Sequence, residues 1–328
     1  MSRASGIGSW PGTSVREALA VVRDTLADDG LPYLPELPAR GPGADLVGRS
    51  AGLLVDLAVD LQPMGWRFVD RPGRDASRTA SLWREDLDEL AEAFDGYTGE
   101  LKLQVAGPWT LSSSVWLHRA ERAVVDEGAT RDLVASLAEG VRVHLDEVQR
   151  LVPGADLVLQ LDEPSLPAVL AGRLPTASGY GRLRAVDPQV AAAGLRDVLA
   201  AAGERRTAIH CCAPDLNWPL LRGTGARALA VDTTLLGPRG WESVAATVES
   251  GVALWAGVLP TDGAATSVSS TVGALVDRWR EVGLPVADLT DVTVTPTCGL
   301  AGLTPDQARS VQQMAADTAR ALTETAGS

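Results

Sequence analysis

Three adjacent side chains that can bind a metal ion, His210, Cys211 and Cys212, end an apolar run in the second half of the chain. The run at residues 207–211 has the composition of a buried strand, and the Ala-Pro-Asp sequence after it is typical of a turn. Because side chains alternate along a strand, His210 and Cys212 point to the same side and Cys211 to the other. Imidazole nitrogen together with thiolate sulfur favours zinc. We therefore take His210 and Cys212 as candidate ligands.

Further polar side chains stand where other predicted strands end. Asp232 closes one apolar run, Cys298 follows another, and Asp162 begins the Asp-Glu-Pro sequence after a third. Two thiols, an imidazole and a carboxylate from such strand ends are a set able to surround one tetrahedral ion. Each residue also has a simpler explanation: His210 as a hydrogen-bonded core histidine, Cys298 as a small buried residue, and Asp162 as part of a helix cap.

Apolar runs of strand length alternate with amphipathic stretches along the whole chain, as is typical of parallel βα units. The candidate strands lie at residues 6–10, 66–69, 101–106, 156–161, 207–211, 228–232, 253–258 and 292–297. The candidate helices lie at residues 14–27, 45–61, 80–94, 130–151, 188–201, 241–250, 268–282 and 305–325. Eight such units predict an α/β fold, a (β/α)8 TIM barrel with enlarged βα loops, in which the C-terminal strand ends carry the active site.

A single domain is predicted across residues 1–328, because no linker rich in Pro, Gly or Ser separates two halves with independent patterns. Residues 31–42 carry four of the 20 prolines, and we interpret them as an irregular excursion near the barrel mouth. Residues 173–187 have the composition of a long loop, and long loops in compact domains are often functional.

The composition argues against several classes of protein. A net charge of −13 disfavours a surface for nucleic acid or anionic membrane, because phosphate binding needs clustered Lys and Arg. No apolar run approaches the roughly 20 residues that span a bilayer. The N-terminus lacks the layout of a signal peptide, and three cysteines make a poor disulfide framework. We therefore expect a cytoplasmic protein.

Six segments, in order along the chain, resemble the catalytic C-terminal barrel of cobalamin-independent methionine synthase. They are Ile7-Gly8-Ser9-Trp10-Pro11, Gly107-Pro108-Trp109-Thr110, Leu159-Gln160-Leu161-Asp162-Glu163-Pro164, His210-Cys211-Cys212, Val231-Asp232-Thr233 and Cys298-Gly299-Leu300. These segments cover nearly the whole chain, and only their combination is specific. The resemblance is to a single-barrel short form of the family.

The resemblance implies a Zn²⁺ ion that binds the homocysteine thiol as thiolate, and a methyl group delivered to that sulfur to form methionine. A free thiol, with a pKa near ~8.5, is mostly protonated at neutral pH, so the metal supplies the nucleophile. The implied zinc ligands are His210, Cys212, Asp232 and Cys298, with Asp232 standing where the family has a glutamate. The implied contacts to the amino acid come from Ile7, Gly8 and Ser9, and from Asp162 to the ammonium group.

The side of the site that takes the methyl donor departs from the family pattern. Ala168 stands where the family has a glutamate that holds the pterin, Ser114 where it has a stacking tryptophan, and Asp262 where it has a proton-donating histidine. The predicted partners are homocysteine and a methyl donor, either a methyl-folate or a corrinoid protein. Two alternatives stay open: zinc-dependent methyl transfer to a different thiol, and a zinc-binding barrel without catalysis.

Overall fold

Seven parallel strands form a curled sheet in the computed structural model, which describes residues 1–327. The strands of the chain are β1 (Arg3–Ala4), β2 (Ala58–Gln62), β3 (Gly65–Val69), β4 (Glu100–Ala106), β5 (Asp156–Asp162), β6 (Arg206–Cys211), β7 (Ala228–Asp232), β8 (Ala253–Leu259) and β9 (Thr293–Pro296). The sheet has the order β1-β9-β8-β7-β6-β5-β4, and its neighbouring strands are all parallel.

Helices surround this sheet and cover its outer face. They are α1 (Val15–Leu26), α2 (Leu46–Ala51), α3 (Arg74–Ala93), α4 (Pro108–Ser114), α5 (Glu127–Leu151), α6 (Leu166–Leu170), α7 (Pro188–Ala200), α8 (Trp218–Arg222), α9 (Pro238–Glu249), α10 (Val268–Glu281) and α11 (Pro305–Ala326). Short 3-10 helices lie at Pro38–Arg40, Ala123–Val125, Thr233–Leu235 and Val286–Asp291. Within residues 1–327, none of the helices has the length and apolar character needed to cross a membrane.

Residues 31–37, called here the closing segment, fill the gap in the sheet between β1 and β4. The amide of Leu31 donates to the carbonyl of Ala4 in β1 (2.8 Å), and the amide of Leu34 donates to the carbonyl of Lys102 in β4 (3.1 Å). The closing segment is therefore an irregular eighth strand. The predicted (β/α)8 barrel is confirmed, with the ring completed by this segment.

The predicted position of the second barrel strand, residues 66–69, is wrong. These residues belong to β3, which pairs antiparallel with β2 in a hairpin outside the barrel. The interpretation of residues 31–42 as an excursion is wrong for the same reason, because their first part is the missing strand. Pro32 and Pro35 remove amide donors and interrupt the alternation of side chains, so the closing segment lacks the pattern of a regular strand.

The predicted helix at residues 45–61 is shorter in the structure. The side chain of Asp45 caps α2 by accepting from the amide of Gly48 (2.9 Å), and the helix ends at Ala51. Asp56 adopts a positive φ of 59°, and the chain then enters the hairpin. The apolar residues between 53 and 61 therefore serve a turn and a strand and not one long helix.

The interior of the barrel consists of a small apolar layer beneath a polar layer. Side chains alternate along barrel strands, so every second residue points inward. The apolar cluster contains Leu31, Val158, Ala208, Ala228, Ala230 and Trp255. Lys102, Gln104 and Gln160 are also buried, and they lie between this cluster and the C-terminal ends of the strands. A polar floor therefore underlies the barrel mouth.

Candidate metal and substrate site

The C-terminal strand ends bring the predicted site residues to one mouth of the barrel. Asp162 ends β5 and is paired in register with His210 of β6. Asp232 ends β7, while Cys212 directly follows β6 and Cys298 follows β9. In a parallel barrel these ends face the same side, where the βα loops gather.

His210, Cys212 and Cys298 form a group whose ligand atoms all lie within 4.8 Å of one another. The two sulfur atoms are 2.8 Å apart. Nδ1 of His210 lies 3.2 Å from the carbonyl of Ala230, which can only accept, so this nitrogen carries the proton. A neutral imidazole held in this way would offer the lone pair of Nε2, the arrangement usual for a histidine that binds a metal.

The pair of thiols, Cys212 and Cys298, loses its first proton easily and its second proton with difficulty. The hydrogen bond from Cys212 and the nearby His210 lower the pKa of Cys298, although burial opposes that shift. The hydrogen bond to Cys298, followed by burial and the neighbouring negative charge, raises the pKa of Cys212. A divalent cation between the sulfurs would stabilise both as thiolates. Two sulfurs and one imidazole therefore fit zinc as a donor set.

Asp232 lies outside this group among the described residues. Its Oδ1 accepts from the amide (2.9 Å) and the hydroxyl (2.6 Å) of Thr234, and so caps the short helix Thr233–Leu235. An aspartate side chain is short and readily bonds to the backbone two residues on. The structure thus brings together three of the four predicted ligands and holds the fourth in a local turn.

Two buried carboxylates interact with each other at the mouth, and one of them, Asp162, also interacts with His210 and Cys298. Asp162 is 5% exposed and Glu36, in the closing segment, is 4% exposed. Burial raises the pKa of Asp162 to about 6, with His210 and Lys102 acting against that shift. Burial likewise raises the pKa of Glu36 to about 7, partly offset by Arg49. The mouth therefore holds two acidic groups whose ionised forms would be stabilised by a cation.

The segment after β1 lies next to Glu36 and to the loop that follows Cys298. The amide of Glu36 donates to the carbonyl of Gly8 (3.0 Å), and the amide of Leu300 donates to the carbonyl of Ser9 (2.9 Å). A Cβ atom added at Gly299 would lie 2.0 Å from Oγ of Ser9. The residue after Cys298 must therefore be small for Ser9 to keep its place.

Glu163, the second acidic residue of the Asp-Glu-Pro sequence, has a structural task. Its carboxylate accepts from the amide of Trp109 (2.9 Å) and from the amide and hydroxyl of Thr110 (both 2.8 Å) at the start of α4. Burial raises its pKa to about 7, although these hydrogen bonds oppose the shift. Of these two adjacent residues, Asp162 therefore lies at the barrel mouth and Glu163 caps the start of α4.

Comparison with known proteins identifies the family. Residues 2–321 match the family described as "Cobalamin-independent synthase, Catalytic domain". The chain belongs to this family. Among solved structures, the chain resembles a B12-independent methionine synthase from Shewanella sp. W3-18-1 in complex with selenomethionine. The two chains share 13% sequence identity with a TM-score of 0.52, and the match covers 73% of this chain and 66% of that chain. A search of curated proteins found no match.

The residues that the sequence assigned to the methyl donor lie outside the His/Cys/Cys group within the described part of the chain. Asp262 is exposed in the loop after β8, where its Oδ1 accepts from the amide of Ala264 (2.9 Å). Ser114 ends α4, and its hydroxyl donates to the carbonyl of Thr110 (2.7 Å). Trp116, the tryptophan nearest in sequence after Ser114, has the guanidinium of Arg122 over its ring, 4.9 Å from the centroid. Asp262 is not part of the His/Cys/Cys group in the described chain.

Two residues of the site have no counterpart in the sequence-based prediction. Glu36 is the one charged residue of a proline-rich apolar stretch, and Lys102 is the one basic residue of an apolar strand. A charge in such a setting was the available signal for both. The sequence-based prediction missed Glu36 because its segment lacks strand periodicity. It missed Lys102 because this residue stands several positions before the end of its strand.

Proposed function

We propose that the chain is a zinc-dependent methyltransferase that transfers a methyl group to the thiol of homocysteine and so forms methionine. One observation carries this proposal: the ligand atoms of His210, Cys212 and Cys298 converge at the barrel mouth, beside the buried carboxylate of Asp162. The family's reaction class, methyl transfer in methionine synthesis, agrees with it.

His210, Cys212 and Cys298 would hold the metal. Three protein ligands leave one coordination position for the substrate, as is usual for catalytic zinc. Zinc bound there supplies the Lewis acidity that keeps a substrate thiol ionised near neutral pH. Asp232 lies outside the three-residue group and its Oδ1 accepts from Thr234, so we assign it to the turn that follows β7.

The amino-acid part of homocysteine would lie between the closing segment and β5. Asp162 and Glu36 offer carboxylates to the α-ammonium group, while the hydroxyl of Ser9 and the backbone of residues 7–9 offer donors to the carboxylate. Both carboxylates are buried, so a bound ammonium group would find little competition from water. This pairing predicts a preference for an α-amino acid over a simple thiol.

In the reaction, the thiolate sulfur attacks the methyl carbon, a sulfur–carbon bond forms, and the bond from that carbon to the donor breaks. The electron pair of the broken bond stays on the donor, and a nitrogen donor such as methyl-folate then takes up a proton. Asp262 is the candidate source of that proton. The departures at Ala168 and Ser114 from the family's pterin contacts make a corrinoid donor the second candidate.

Zinc content tests the metal set. Purified wild-type protein should hold about one zinc per chain by mass spectrometry of metals. Cys298→Ala should lose the zinc and the methyl-transfer activity together, because two protein ligands bind zinc far more weakly than three. Cys211→Ala is the matched control: Cys211 is buried next to the site but outside the ligand group, and zinc should stay. Zinc retained and activity unchanged in Cys298→Ala would contradict the proposal.

A cobalt-substituted protein tests the acceptor. Homocysteine should change the visible spectrum of Co²⁺ in the site, because its sulfur takes the open coordination position. Methyl-folate and methylcobalamin, offered separately to the zinc protein with homocysteine, then identify the donor. A cobalt spectrum that homocysteine leaves unaltered would instead support a zinc-binding barrel without catalysis.

A further inference from the structure

Lys102 is the only lysine among the 29 lysine and arginine residues of the chain. It is also fully buried inside the barrel, on β4, whereas lysine is almost never fully buried unless it is paired. An ammonium group is a compact donor on a flexible stem, and a guanidinium is a broad planar fork. The barrel interior thus holds the one basic side chain of the compact type.

The ammonium group of Lys102 contacts the segment after β1 and the strand β5 at once. Nζ lies 2.7 Å from the carbonyl oxygen of Ile7 and 2.8 Å from Oε1 of Gln160. It also lies 5.0 Å from the centroid of the Tyr33 ring, which belongs to the closing segment. Lys102 therefore joins three neighbouring parts of the barrel below the mouth.

Gln160 links Lys102 to Asp162, because its side-chain amide bonds to both residues. Its Nε2 donates to the carbonyl of Ile7 (2.8 Å) and to Oδ1 of Asp162 (2.7 Å). An ammonium group can only donate, so it fixes Oε1 of Gln160 on its own side and turns the NH2 group toward Ile7 and Asp162. If the amide were reversed, a carbonyl oxygen would face the carboxylate of Asp162. Lys102, together with the acceptors Ile7 and Asp162, thus sets which way Gln160 presents its amide.

The charges of the site agree with this geometry. Asp162 and Glu36 both raise the pKa of Lys102, while burial, the larger effect, lowers that pKa to about 7. The polar floor therefore places one amine below two carboxylates. Arg49 also acts on Glu36, and a cationic group entering from the mouth, such as the α-ammonium of an amino acid, would further balance the two carboxylates.

We propose that Lys102 is a positioning residue for the amino-acid substrate. Through the amide of Gln160, which is anchored on the carbonyl of Ile7, it holds the carboxylate of Asp162 in the orientation that selects a ligand with an α-ammonium group. This inference rests on the proposed function, because it concerns how the same site distinguishes homocysteine from other thiols.

A pair of ligands tests the proposal on the zinc-loaded protein. Homocysteine and 4-mercaptobutanoate share the thiol and the carboxylate, and only the former has an α-ammonium group. Lys102→Met should weaken homocysteine binding in calorimetry by about tenfold to a hundredfold, the effect of a lost charge-assisted contact, and leave 4-mercaptobutanoate within about threefold. Gln160→Met, which keeps Lys102 and breaks the relay, should give the same loss of selectivity. Zinc content should stay unchanged in both variants.

Equal weakening of both thiols, or a preference for homocysteine that survives both substitutions, would overturn the role of Lys102. Wild-type protein that holds zinc and fails to bind homocysteine would overturn the proposed function itself, and this inference with it. The two failures are therefore distinct.

The wild-type protein offers a measurement that does not depend on the folding of a variant. Growth with lysine labelled with ¹³C at Cε gives a single NMR signal, because the chain has one lysine. Homocysteine should shift this signal and 4-mercaptobutanoate should leave it in place, since only the former brings a charge to Asp162 and Glu36. A signal that responds equally to both thiols would contradict the proposal.

Discussion

Replacing Lys102 with methionine, which has a similar length and no charge, is expected to change how the stability of the protein depends on pH. Burial lowers the pKa of Lys102 from 10.5 to about 7. Between these values the unfolded chain holds a proton that the folded protein has released, so the free energy of unfolding rises by about 1.4 kcal/mol per pH unit. This stability is complete above the pKa of the unfolded lysine and is lost as the pH falls through about 7.

The substitution removes the rise in stability with pH that Lys102 causes. It also raises the pKa values of the neighbouring carboxylates, which further lowers the stability of the variant relative to the wild type as the pH rises. Asp162 and Glu36 face Lys102 and have raised pKa values, and they are themselves influenced by His210 and Arg49. Without Lys102 their ionised forms lose a cation, so the variant loses more stability as the pH rises. From pH 7 to pH 9 the wild type should therefore gain about 2 to 3 kcal/mol over Lys102→Met.

Urea unfolding of both proteins at several values between about pH 6 and about pH 9 measures this difference. At the acid end Lys102→Met should be the more stable protein, because the wild type then holds a buried ammonium group, whose cost exceeds that of the three lost hydrogen bonds to Ile7, Gln104 and Gln160. The difference should reverse or shrink toward the alkaline end. A difference that stays constant over this range would refute the view of Lys102, Asp162 and Glu36 as one buried titrating cluster.

Three further substitutions separate the tasks of the mouth residues. Gly299→Ala should displace Ser9 and weaken homocysteine binding by about tenfold in calorimetry with zinc retained, whereas Gly302→Ala, with open space around it, should bind as the wild type does. Glu163→Ala should cost about 2 to 4 kcal/mol in urea unfolding, because three donors at the start of α4 lose their acceptor; a change near zero would show that water replaces the carboxylate. Asp232→Ala should keep its zinc by metal analysis, and loss of the metal would identify Asp232 as a ligand after all.

The sequence predicts most of this barrel because most of its strands carry local information. The runs that became β4 to β9 are apolar, of strand length and separated by amphipathic helices, so period and composition agree. The closing segment is different: Pro32 and Pro35 suppress the strand pattern, and pairing with two neighbours supplies what the local sequence lacks. Residues 66–69 have a clear strand pattern and do form a strand, but this strand pairs with β2 in a hairpin outside the barrel.

The candidate site divides in the same way. His210, Cys212 and Cys298 were accessible to the sequence because metal-binding side chains at strand ends are informative in themselves. The position of Asp232 was not, because the choice between a metal and a turn depends on a side chain one methylene long. Glu36 and Lys102 depend on contacts between strands distant in sequence, such as that of Lys102 with Ile7, which no local pattern encodes.

The closing segment also makes its side of the barrel easier to open than the pair of strands β4 and β5. Its prolines carry no amide hydrogen, so the ladders on its two sides have fewer rungs than those between β4 and β5. Local opening in proteins begins where backbone hydrogen bonds are few. Deuterium should therefore replace the amide hydrogens of Leu34 and Glu36 sooner than those in the middle of β5. The carboxylate of Glu36, which is proposed to hold the substrate, would then stand on an easily opened edge of the ring, and bound amino acid should slow that exchange.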